Sequence, residues 1–520
     1  KTKKVRSQSG ILEVAIMTSP GNFSCAYDCY YCPNQKDMPR SYIKEEPAVK
    51  RAAANDFDPV KQFYDRATTY SLNGHDVDKI ELIILGGTWS SYPYNYQKEF
   101  IRDLYFAANT FYLNNEDKDR ERLSIEEEQE INENSMCHII GLTLETRPDS
   151  ITQDELIRFN YFGVTRVQLG IQHTDNKILK KINRQSTVED SMNAIKLLKD
   201  CGFKIMIHIM PNLPNSSPEK DMIMFERIIS SYDLQADEWK IYPTSVTTTS
   251  SKDIEEVNTV IEKWYKDGKY VPYSTDELYD VLIYAKTRVP RWIRIARIFR
   301  DIPLPNITGG ANVPNMRQVI KNIMETMNEE CQCIRCREIK DRTSNNKVEF
   351  KKEEYYSSGG KEIFITAEKE IDGKYYILGF LRLRLSEKAG KDTNGLFMPQ
   401  IKNCALIREL HVYGKLQSCY NKKNNSNNQH YGIGKNLISY AEFLAYYEGY
   451  GKISVTSGVG VRNYYRKQGY YLKDGYMVKT LHSIFDSIKD YLGVFIIIFV
   501  VSMCINIFKN LLEKFCNNYF

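Results

Sequence analysis

Three cysteines close together near the start of the chain place the strongest constraint on its fold. Cys25, Cys29 and Cys32 follow a C-x3-C-x2-C spacing, so three thiolates come from one short stretch. Three thiolates can bind three irons of a 4Fe–4S cluster, which leaves the fourth iron without a protein ligand. The alternative is a structural zinc site, which needs a fourth ligand, and the nearest histidine in sequence is His75. The triad therefore favours an iron–sulfur centre with an open coordination position.

Residues at the ends of later apolar segments fit a cofactor on that open iron. An open position suits the amino and carboxylate groups of S-adenosylmethionine (SAM), a cofactor of radical chemistry. Gly86, Gly87 and Thr88 end one apolar segment, where backbone without side chains can approach the SAM amino group. Glu145 and Gln172 end two further segments and are predicted SAM contacts.

The first 345 residues repeat a pattern of a short apolar run, a loop and a helical segment. The runs are nearly continuous in apolar residues, which is typical of parallel strands buried on both faces. They cover residues 79–87, 138–146, 165–172 and 203–211. The sequence thus predicts an α/β fold, a partial or full (β/α) barrel over residues 1–345. The charge-dense residues 113–135 are expected to form a solvated insertion.

The pattern changes after residue 340, with a domain boundary near residues 340–348. Residues 347–387 alternate apolar and polar side chains, with turn signals at Gly359–Gly360 and Asp372–Gly373. This alternation predicts an antiparallel meander. A strand over 404–414 and a helix from Lys435 follow, so a second, α+β domain is expected over residues 346–482.

The start of that helix carries a glycine pattern that matches the Q-x-x-G-x-G loop of GCN5-type acetyltransferases. The loop consists of Gln429, His430, Tyr431, Gly432, Ile433 and Gly434, and Lys435 follows it. Glycines let backbone N–H groups face a pyrophosphate at a helix N-terminus, so the loop predicts acetyl-CoA binding. An ordinary capping turn is the alternative. Downstream, Tyr464 and Tyr465 are candidates to protonate a leaving thiolate, or to pack in the core.

A second cysteine cluster lies near the predicted domain boundary. Cys331, Cys333 and Cys336 follow a C-x-C-x2-C spacing with no histidine nearby. Zinc is favoured over a second iron–sulfur cluster, and three reduced structural cysteines are the alternative. A fourth ligand would have to be an acidic residue, for which Asp301 is a candidate, or a residue far away in the sequence.

Basic residues give a weaker signal for a nucleic-acid partner. The net charge of +5 is mild for 520 residues. Residues 287–303 carry arginines interleaved with Trp292 and Phe299, a pattern suited to phosphate contact and base stacking. An arginine-rich solvated face would produce the same pattern, so both interpretations stay open.

The C-terminal residues 491–508 contain no charged residue and are flanked by lysines. Eighteen residues at about 1.5 Å each span a thin bilayer as a helix. We therefore expect a transmembrane anchor that leaves the catalytic domains on the cytosolic side. The candidate membranes for this anchor are the mitochondrial outer membrane and the endoplasmic reticulum.

Together these motifs resemble the catalytic subunit of the Elongator complex over residues 10–480. The matching segments include LGGTWSSYP, LETRPD, CQCIRCRE, IRELHVYG and SGVGVRNYYRKQGY. The resemblance implies a radical SAM domain joined to an acetyltransferase-like domain, with a 4Fe–4S cluster, SAM and acetyl-CoA. It also implies Cys25, Cys29 and Cys32 as cluster ligands and Glu409, Leu410 and His411 as part of the CoA site.

The family carboxymethylates C5 of the wobble uridine in tRNA, so the resemblance implies tRNA as substrate. Its partners would be other Elongator-type subunits or a second copy of the chain. The short first gap between the cysteines differs from many members, and the apolar tail resembles that of apicomplexan forms. A protein lysine acetyltransferase of histone or tubulin type, with a structural iron–sulfur domain, is the rival hypothesis.

Overall fold

The computed structural model describes residues 10–21, 25–248, 259–414 and 432–481. Its first half is built on a sheet of parallel strands, hydrogen-bonded in the order β1-β2-β3-β4-β5-β6-β8. The strands of this sheet are β1 (Leu12–Met17), β2 (Lys79–Leu85), β3 (His138–Thr146), β4 (Arg166–Gln172), β5 (Lys204–Ile209), β6 (Glu238–Ile241) and β8 (Arg294–Arg297). Beside it, β7 (Ser245–Thr247) pairs with β9 (Ile307–Gly310). The predicted partial barrel of parallel strands is confirmed.

Helices connect these strands, as parallel pairing requires, and two further helices of the described residues follow β9. They are α1 (Pro47–Ala53), α2 (Pro59–Leu72), α3 (Tyr94–Thr110), α4 (Asn115–Lys118), α5 (Ile125–Asn132), α6 (Gln153–Phe162), α7 (Asn176–Lys181), α8 (Val188–Asp200), α9 (Pro218–Ser230), α10 (Val260–Lys266), α11 (Thr275–Arg288), α12 (Met316–Thr326) and α13 (Ile334–Arg337). All seven residues of β4 are buried, which explains why its sequence shows no alternation.

The expectation that residues 113–135 form a solvated insertion is wrong for its second half. Helix α5 begins with a capping box at Ser124 and packs on α3. Its Glu128 is fully buried and accepts hydrogen bonds from Arg120 and from Asn109. The sequence did not indicate that Glu128 is buried, because Arg120, which neutralises its charge, lies eight positions earlier and outside the helix.

The second half is built on a mixed sheet with the order β10-β11-β12-β15-β16-β18-β17. Its strands are β10 (Glu349–Ser357), β11 (Gly360–Ile371), β12 (Lys374–Leu385), β15 (Ala405–Val412), β16 (Lys452–Val455), β17 (Tyr471–Lys473) and β18 (Tyr476–Thr480), and β13 (Lys391–Asp392) pairs with β14 (Gly395–Leu396). The first three strands form the predicted antiparallel meander, with both turns where the sequence indicated them. Helices α14 (Ile433–Tyr447) and α15 (Arg462–Arg466) complete this half.

Strands β15 and β16 lie parallel and then separate. They pair only from Ala405 to Ile407 within the described residues, while β15 continues to Val412 along β12. Helix α14 packs across β12 and β15 beside this opening. Beyond Ile407, no strand of the described part of the chain pairs with β15 on the β16 side.

Buried ion pairs join the two halves. Asp237, directly before β6, faces Arg408 of β15 and Arg382 of β12, and all three side chains are at most 1% exposed. Asp200, at the end of α8, pairs with Arg384 of β12. Buried charges are stable only when paired, so these contacts fix how the two sheets sit together.

The arginine-rich segment 287–303 also serves this contact. Arg291 pairs with Glu353 and Arg294 with Glu338, while Trp292 stacks on Tyr355 with ring centroids 4.3 Å apart. These side chains are engaged within the protein, so the structure favours neither a phosphate-binding strip nor a freely solvated face.

No helix in the described ranges is long and apolar enough to cross a membrane. The predicted anchor over 491–508 lies outside those ranges.

Candidate functional site

The three cysteines of the triad lie in the loop between β1 and α1. The loop is held to its surroundings by backbone contacts, including Tyr30 N to the Ile182 carbonyl at 3.0 Å. Cys32 N donates to the Cys29 carbonyl at 2.9 Å, which folds the last two ligands into one turn. The sulfur of Cys25 lies 3.2 Å from the Thr88 hydroxyl. Thr88 is thus brought to the triad, as the sequence predicted.

Each thiol of the triad faces a polar or cationic group. Cys29 accepts hydrogen bonds from Arg147 Nη1 and Arg184 Nη1, both at 3.6 Å. Burial and the neighbouring thiols raise the pKa of Cys32, and Arg40 opposes this rise. A short loop that carries three thiols, with guanidinium groups beside the sulfurs of Cys29 and Cys32, matches what thiolate ligands of an iron–sulfur cluster require. The donor set therefore fits the cluster.

Gly86 and Gly87 form the turn that follows β2. Their φ angles are 140° and 90°, which residues with a Cβ rarely adopt. A Cβ on Gly86 would collide with the Thr18 hydroxyl, and one on Gly87 would lie 3.0 Å from the Arg40 carbonyl. The two glycines let this turn pack directly beside the cysteine loop.

Glu145 and Gln172 lie at the carboxyl ends of β3 and β4, on the same edge of the sheet as the triad. Glu145 accepts a hydrogen bond from Tyr42 at 3.3 Å, and burial raises its pKa. Gln172 has φ of 66°, and its buried Oε1 has no hydrogen-bond partner among the residues that the structure describes. An unpartnered buried acceptor at this edge fits a ligand that donates a hydrogen bond, as the SAM amino group does.

Polar side chains inside the barrel were not predicted from the sequence. Gln168 accepts hydrogen bonds from Lys240 at 2.6 Å and from His208 at 2.9 Å. His208 Nδ1 lies 3.7 Å from Glu145, and burial lowers the pKa of His208 well below its usual value. Burial also lowers the pKa of Lys240 to about 8. The signal that could have revealed them is a charged or polar residue inside each apolar run.

In the second half, the start of α14 meets Tyr464. A Cβ on Gly434 would lie 2.7 Å from the Tyr464 hydroxyl, so the phenol rests directly over the helix start. Gly432 is the residue before α14 and Ile433 its first, while Lys435 lies in the first turn. Gln429, His430 and Tyr431 lie outside the described residues.

The two tyrosines of α15 have different surroundings. Tyr464 is 38% exposed, whereas Tyr465 is 6% exposed and packs edge-on against Tyr464 and Tyr470. Burial raises the pKa of Tyr464. Only Tyr464 is therefore placed to meet a ligand at the start of α14.

The three predicted residues of β15 lie beyond the point where β15 and β16 separate. Glu409 accepts from Lys204 at 2.5 Å and from Arg382 at 2.8 Å, so its carboxylate is used between the two halves. His411 is half-buried, its buried Nε2 has no hydrogen-bond partner among the described residues, and desolvation lowers its pKa to about 4. Leu410 packs against the second core. Of the three side chains, that of His411 retains an unused polar atom.

The three cysteines of the second cluster lie close together in the structure. The sulfur atoms of Cys331, Cys333 and Cys336 all lie within 4.8 Å of one another. No histidine, aspartate or glutamate of the described residues joins this group. Asp301 instead pairs with Arg297, so the structure does not place it as the fourth ligand.

Comparison with known proteins agrees with this geometry. Residues 22–225 match the Radical SAM superfamily, and residues 236–326 match the Radical SAM C-terminal domain. The chain is 37% identical to the tRNA uridine(34) acetyltransferase of Dehalococcoides mccartyi, covering 92% of this chain and 99% of that protein. It is 35% identical to Elongator complex protein 3 of Saccharomyces cerevisiae, covering 92% and 85% respectively.

A solved structure is similar over the same length. The structure of Methanocaldococcus infernus Elp3 superposes with a TM-score of 0.75 at 36% identity, covering 91% of this chain and all of that one. The chain therefore belongs to the radical SAM family of Elongator complex protein 3 and the tRNA uridine(34) acetyltransferases.

Proposed function

We propose that this enzyme modifies the wobble uridine of tRNA, transferring a carboxymethyl group derived from acetyl-CoA to C5 of the base in a SAM-dependent radical reaction. The names of its relatives support uridine 34 of tRNA as the target. The observation that carries the proposal is the fixed pairing of two sites in one chain. The triad with Thr88 lies in the first half, and Gly434 with Tyr464 lies in the second, which is joined to the first through Asp237.

Residues of the first half would hold the cluster and SAM. When bound, this pair supplies the radical chemistry needed to activate a C–H bond. Cys25, Cys29 and Cys32 would hold the cluster, and the backbone turn at Gly86–Gly87 admits SAM beside it. The unpartnered Oε1 of Gln172 would accept a hydrogen bond from SAM, and Glu145 would do the same from its position on β3.

Residues of the second half would bind acetyl-CoA. The gap beyond Ile407, where β15 loses its contact with β16, leaves backbone groups of β15 available to the pantetheine arm. The N-terminus of α14 favours the pyrophosphate through its partial positive charge. Tyr464 is protonated at neutral pH, since burial raises its pKa from an ordinary value that already lies well above 7, and its hydroxyl can donate a proton to the departing CoA sulfur.

We further propose that Cys331, Cys333 and Cys336 bind a structural zinc ion. Three thiols this close would bind one ion, and zinc prefers tetrahedral thiolate ligands. The cluster lies between the first half and β12, since Cys333 belongs to the first core and Ile339 N donates to Ile377 of β12 at 3.1 Å. The ion would therefore stabilise the junction of the two halves.

Partners and location are proposed from the sequence and the relatives. Several relatives are named as a protein of the Elongator complex, so other subunits of that type or a second copy are the proposed partners. Residues 491–508 are proposed to anchor the enzyme in a membrane with the catalytic halves in the cytosol. Deletion of residues 488–520 should release the protein from the membrane fraction.

The function is tested with reconstituted protein, SAM, acetyl-CoA and tRNA under anaerobic conditions. We expect 5′-deoxyadenosine to form only when tRNA is present, and Cys29→Ala to abolish it. Acetylation of protein lysines without SAM, together with no tRNA-dependent deoxyadenosine, would instead support the lysine acetyltransferase hypothesis.

A further inference from the structure

Cys29 differs from the other two cysteines of the triad in its neighbours. Cys25 faces the Thr88 hydroxyl, and Cys32 lies next to Arg40, whose charge is shared with the exposed Asp28. Cys29 is 6% exposed and faces two guanidinium groups at once. Two positive charges are thus concentrated on a single predicted cluster ligand.

Arg147 is the first of these groups. It follows β3 and is 1% exposed. Its Nε and Nη2 donate to Asp149 at 2.9 Å, its Nη2 also donates to the Arg184 carbonyl at 2.6 Å, and its Nη1 donates to the Cys29 sulfur. The planar fork is fixed at every nitrogen, so the donor to sulfur cannot rotate away.

Arg184 is the second group, and its charge is less compensated. It is 5% exposed, and its Nη2 donates to the Gly170 carbonyl at 2.5 Å while its Nη1 donates to Cys29. Among the residues that the structure describes, no carboxylate lies within ion-pair distance of Arg184. A guanidinium is always charged in proteins. Its positive charge is therefore exerted on the Cys29 sulfur at short range in a buried environment.

We infer that Arg147 and Arg184 are positioning residues whose hydrogen bonds and positive charges at the Cys29 sulfur raise the reduction potential of the cluster. Hydrogen bonds to the ligand sulfurs, net charge and exclusion of water set the potentials of such clusters. The two arginines stabilise the additional negative charge when the cluster accepts one electron from an external low-potential donor. The inference rests on the proposed function, which assigns the cluster to the triad.

The test is an anaerobic redox titration of the reconstituted full-length protein, followed by the electron paramagnetic resonance signal of the reduced cluster. Arg184→Gln removes the charge and is expected to shift the midpoint to a more negative potential. Arg184→Lys keeps a positive charge and is expected to shift it less. Arg158→Gln, which changes an exposed arginine of α6, is the matched control and should leave the midpoint unchanged.

A midpoint of Arg184→Gln equal to wild type, with equal iron content, would overturn the inference. If Arg184→Gln fails to bind iron, the contact of Arg147 and Arg184 with the cluster is measured directly by pulsed electron paramagnetic resonance on protein that keeps both arginines and is labelled with ¹⁵N-arginine. This is done in an Arg40→Gln background, so that a ¹⁵N coupling reports Arg147 and Arg184. Absence of the coupling would contradict the inference. Wild-type protein that binds no iron would overturn the proposed function as well.

Discussion

Arg408 donates from its two terminal nitrogens to the two carboxylate oxygens of Asp237, each at 2.7 Å. Arg408 belongs to the second half and Asp237 to the first, and both are fully buried. A bidentate pair defines both distance and orientation. This contact therefore fixes the cluster-binding half relative to the half that we propose binds acetyl-CoA.

Removing the charge of Asp237 is expected to destabilise the protein strongly. Asp237→Asn would leave Arg408 and Arg382 in a buried environment with one carboxylate fewer, which costs about 3–5 kcal/mol. The free energy of unfolding is measured by urea denaturation. Asp56→Asn removes the acid of the exposed pair with Lys61 and should leave this free energy unchanged. Equal stability of Asp237→Asn and wild type would show that the pair does not hold the halves together.

The buried carboxylates of Asp237 and Glu238 are expected to make the protein less stable in acid. Burial opposes their ionisation, yet Arg408 and Arg382 hold the pKa of Asp237 below its usual range, and Lys204 and Arg166 do the same for Glu238. A lowered pKa contributes stability above the unfolded value of about 4, and that stability is lost as pH falls towards the folded pKa. Between pH 5 and pH 3 the free energy of unfolding should fall, with a slope of up to about 1.4 kcal/mol per pH unit for each group. Asp237→Asn should show a smaller slope, and an unchanged slope would contradict this assignment.

Gly434→Ala tests the proposed acetyl-CoA site. The new Cβ would lie 2.7 Å from the Tyr464 hydroxyl and would push the phenol from the start of α14. Acetyl-CoA should bind about tenfold more weakly, a loss of ~1.4 kcal/mol, as measured by isothermal titration calorimetry. Gly451→Ala, where a Cβ meets nothing within 4 Å, is the control. Equal affinity of both variants would place acetyl-CoA elsewhere.

The two tyrosines should differ in their effect on turnover. Tyr464→Phe removes the proposed proton donor and should lower tRNA-dependent release of CoA by about 10²-fold or more. Tyr465→Phe keeps a buried ring between Tyr464 and Tyr470 and should retain most of the activity. Loss of activity in Tyr465→Phe alone would reverse the assignment.

Glu133 is expected to position α15. It accepts hydrogen bonds from Arg462 and Arg466, on either side of the tyrosines, and its carbonyl accepts from Asn463 at 2.9 Å. Glu133→Gln removes the charge and should raise the KM for acetyl-CoA several-fold in assays of CoA release, with little effect on cluster content. Glu130→Gln, on the exposed face of α5, is the control, and an equal KM for both variants would exclude this role.

The regular parts of the fold were predictable because their signals are local. Strand β4 lacks the alternation of a half-exposed strand and is buried at all seven positions, and the turn at Asp372–Gly373 marks its own hairpin. Proximity of Thr88 to Cys25 was also expected, since parallel strands end at one edge. Contacts between distant segments were not predictable. In the sequence, Glu128 is indistinguishable from a surface charge, because only the fold brings Arg120 and Asn109 to its carboxylate.

The partners of the arginines in residues 287–303 were likewise not predictable from the sequence. A run of arginines has the same composition whether it binds phosphate, water or buried carboxylates, and only the fold brings Glu353 to Arg291. Likewise, Lys240 and Gln168 lie in apolar strands, where one polar residue gives no sign of which neighbouring strand carries its partner.

The most direct test of the account follows the acetyl carbon. Reconstituted enzyme is given SAM, tRNA and acetyl-CoA labelled with ¹³C in both acetyl carbons, and tRNA nucleosides are analysed by mass spectrometry. The account predicts a two-carbon label on uridine 34, absent in Cys29→Ala and reduced in Gly434→Ala. Unlabelled uridine, with the label recovered on protein lysines in the absence of SAM, would contradict it.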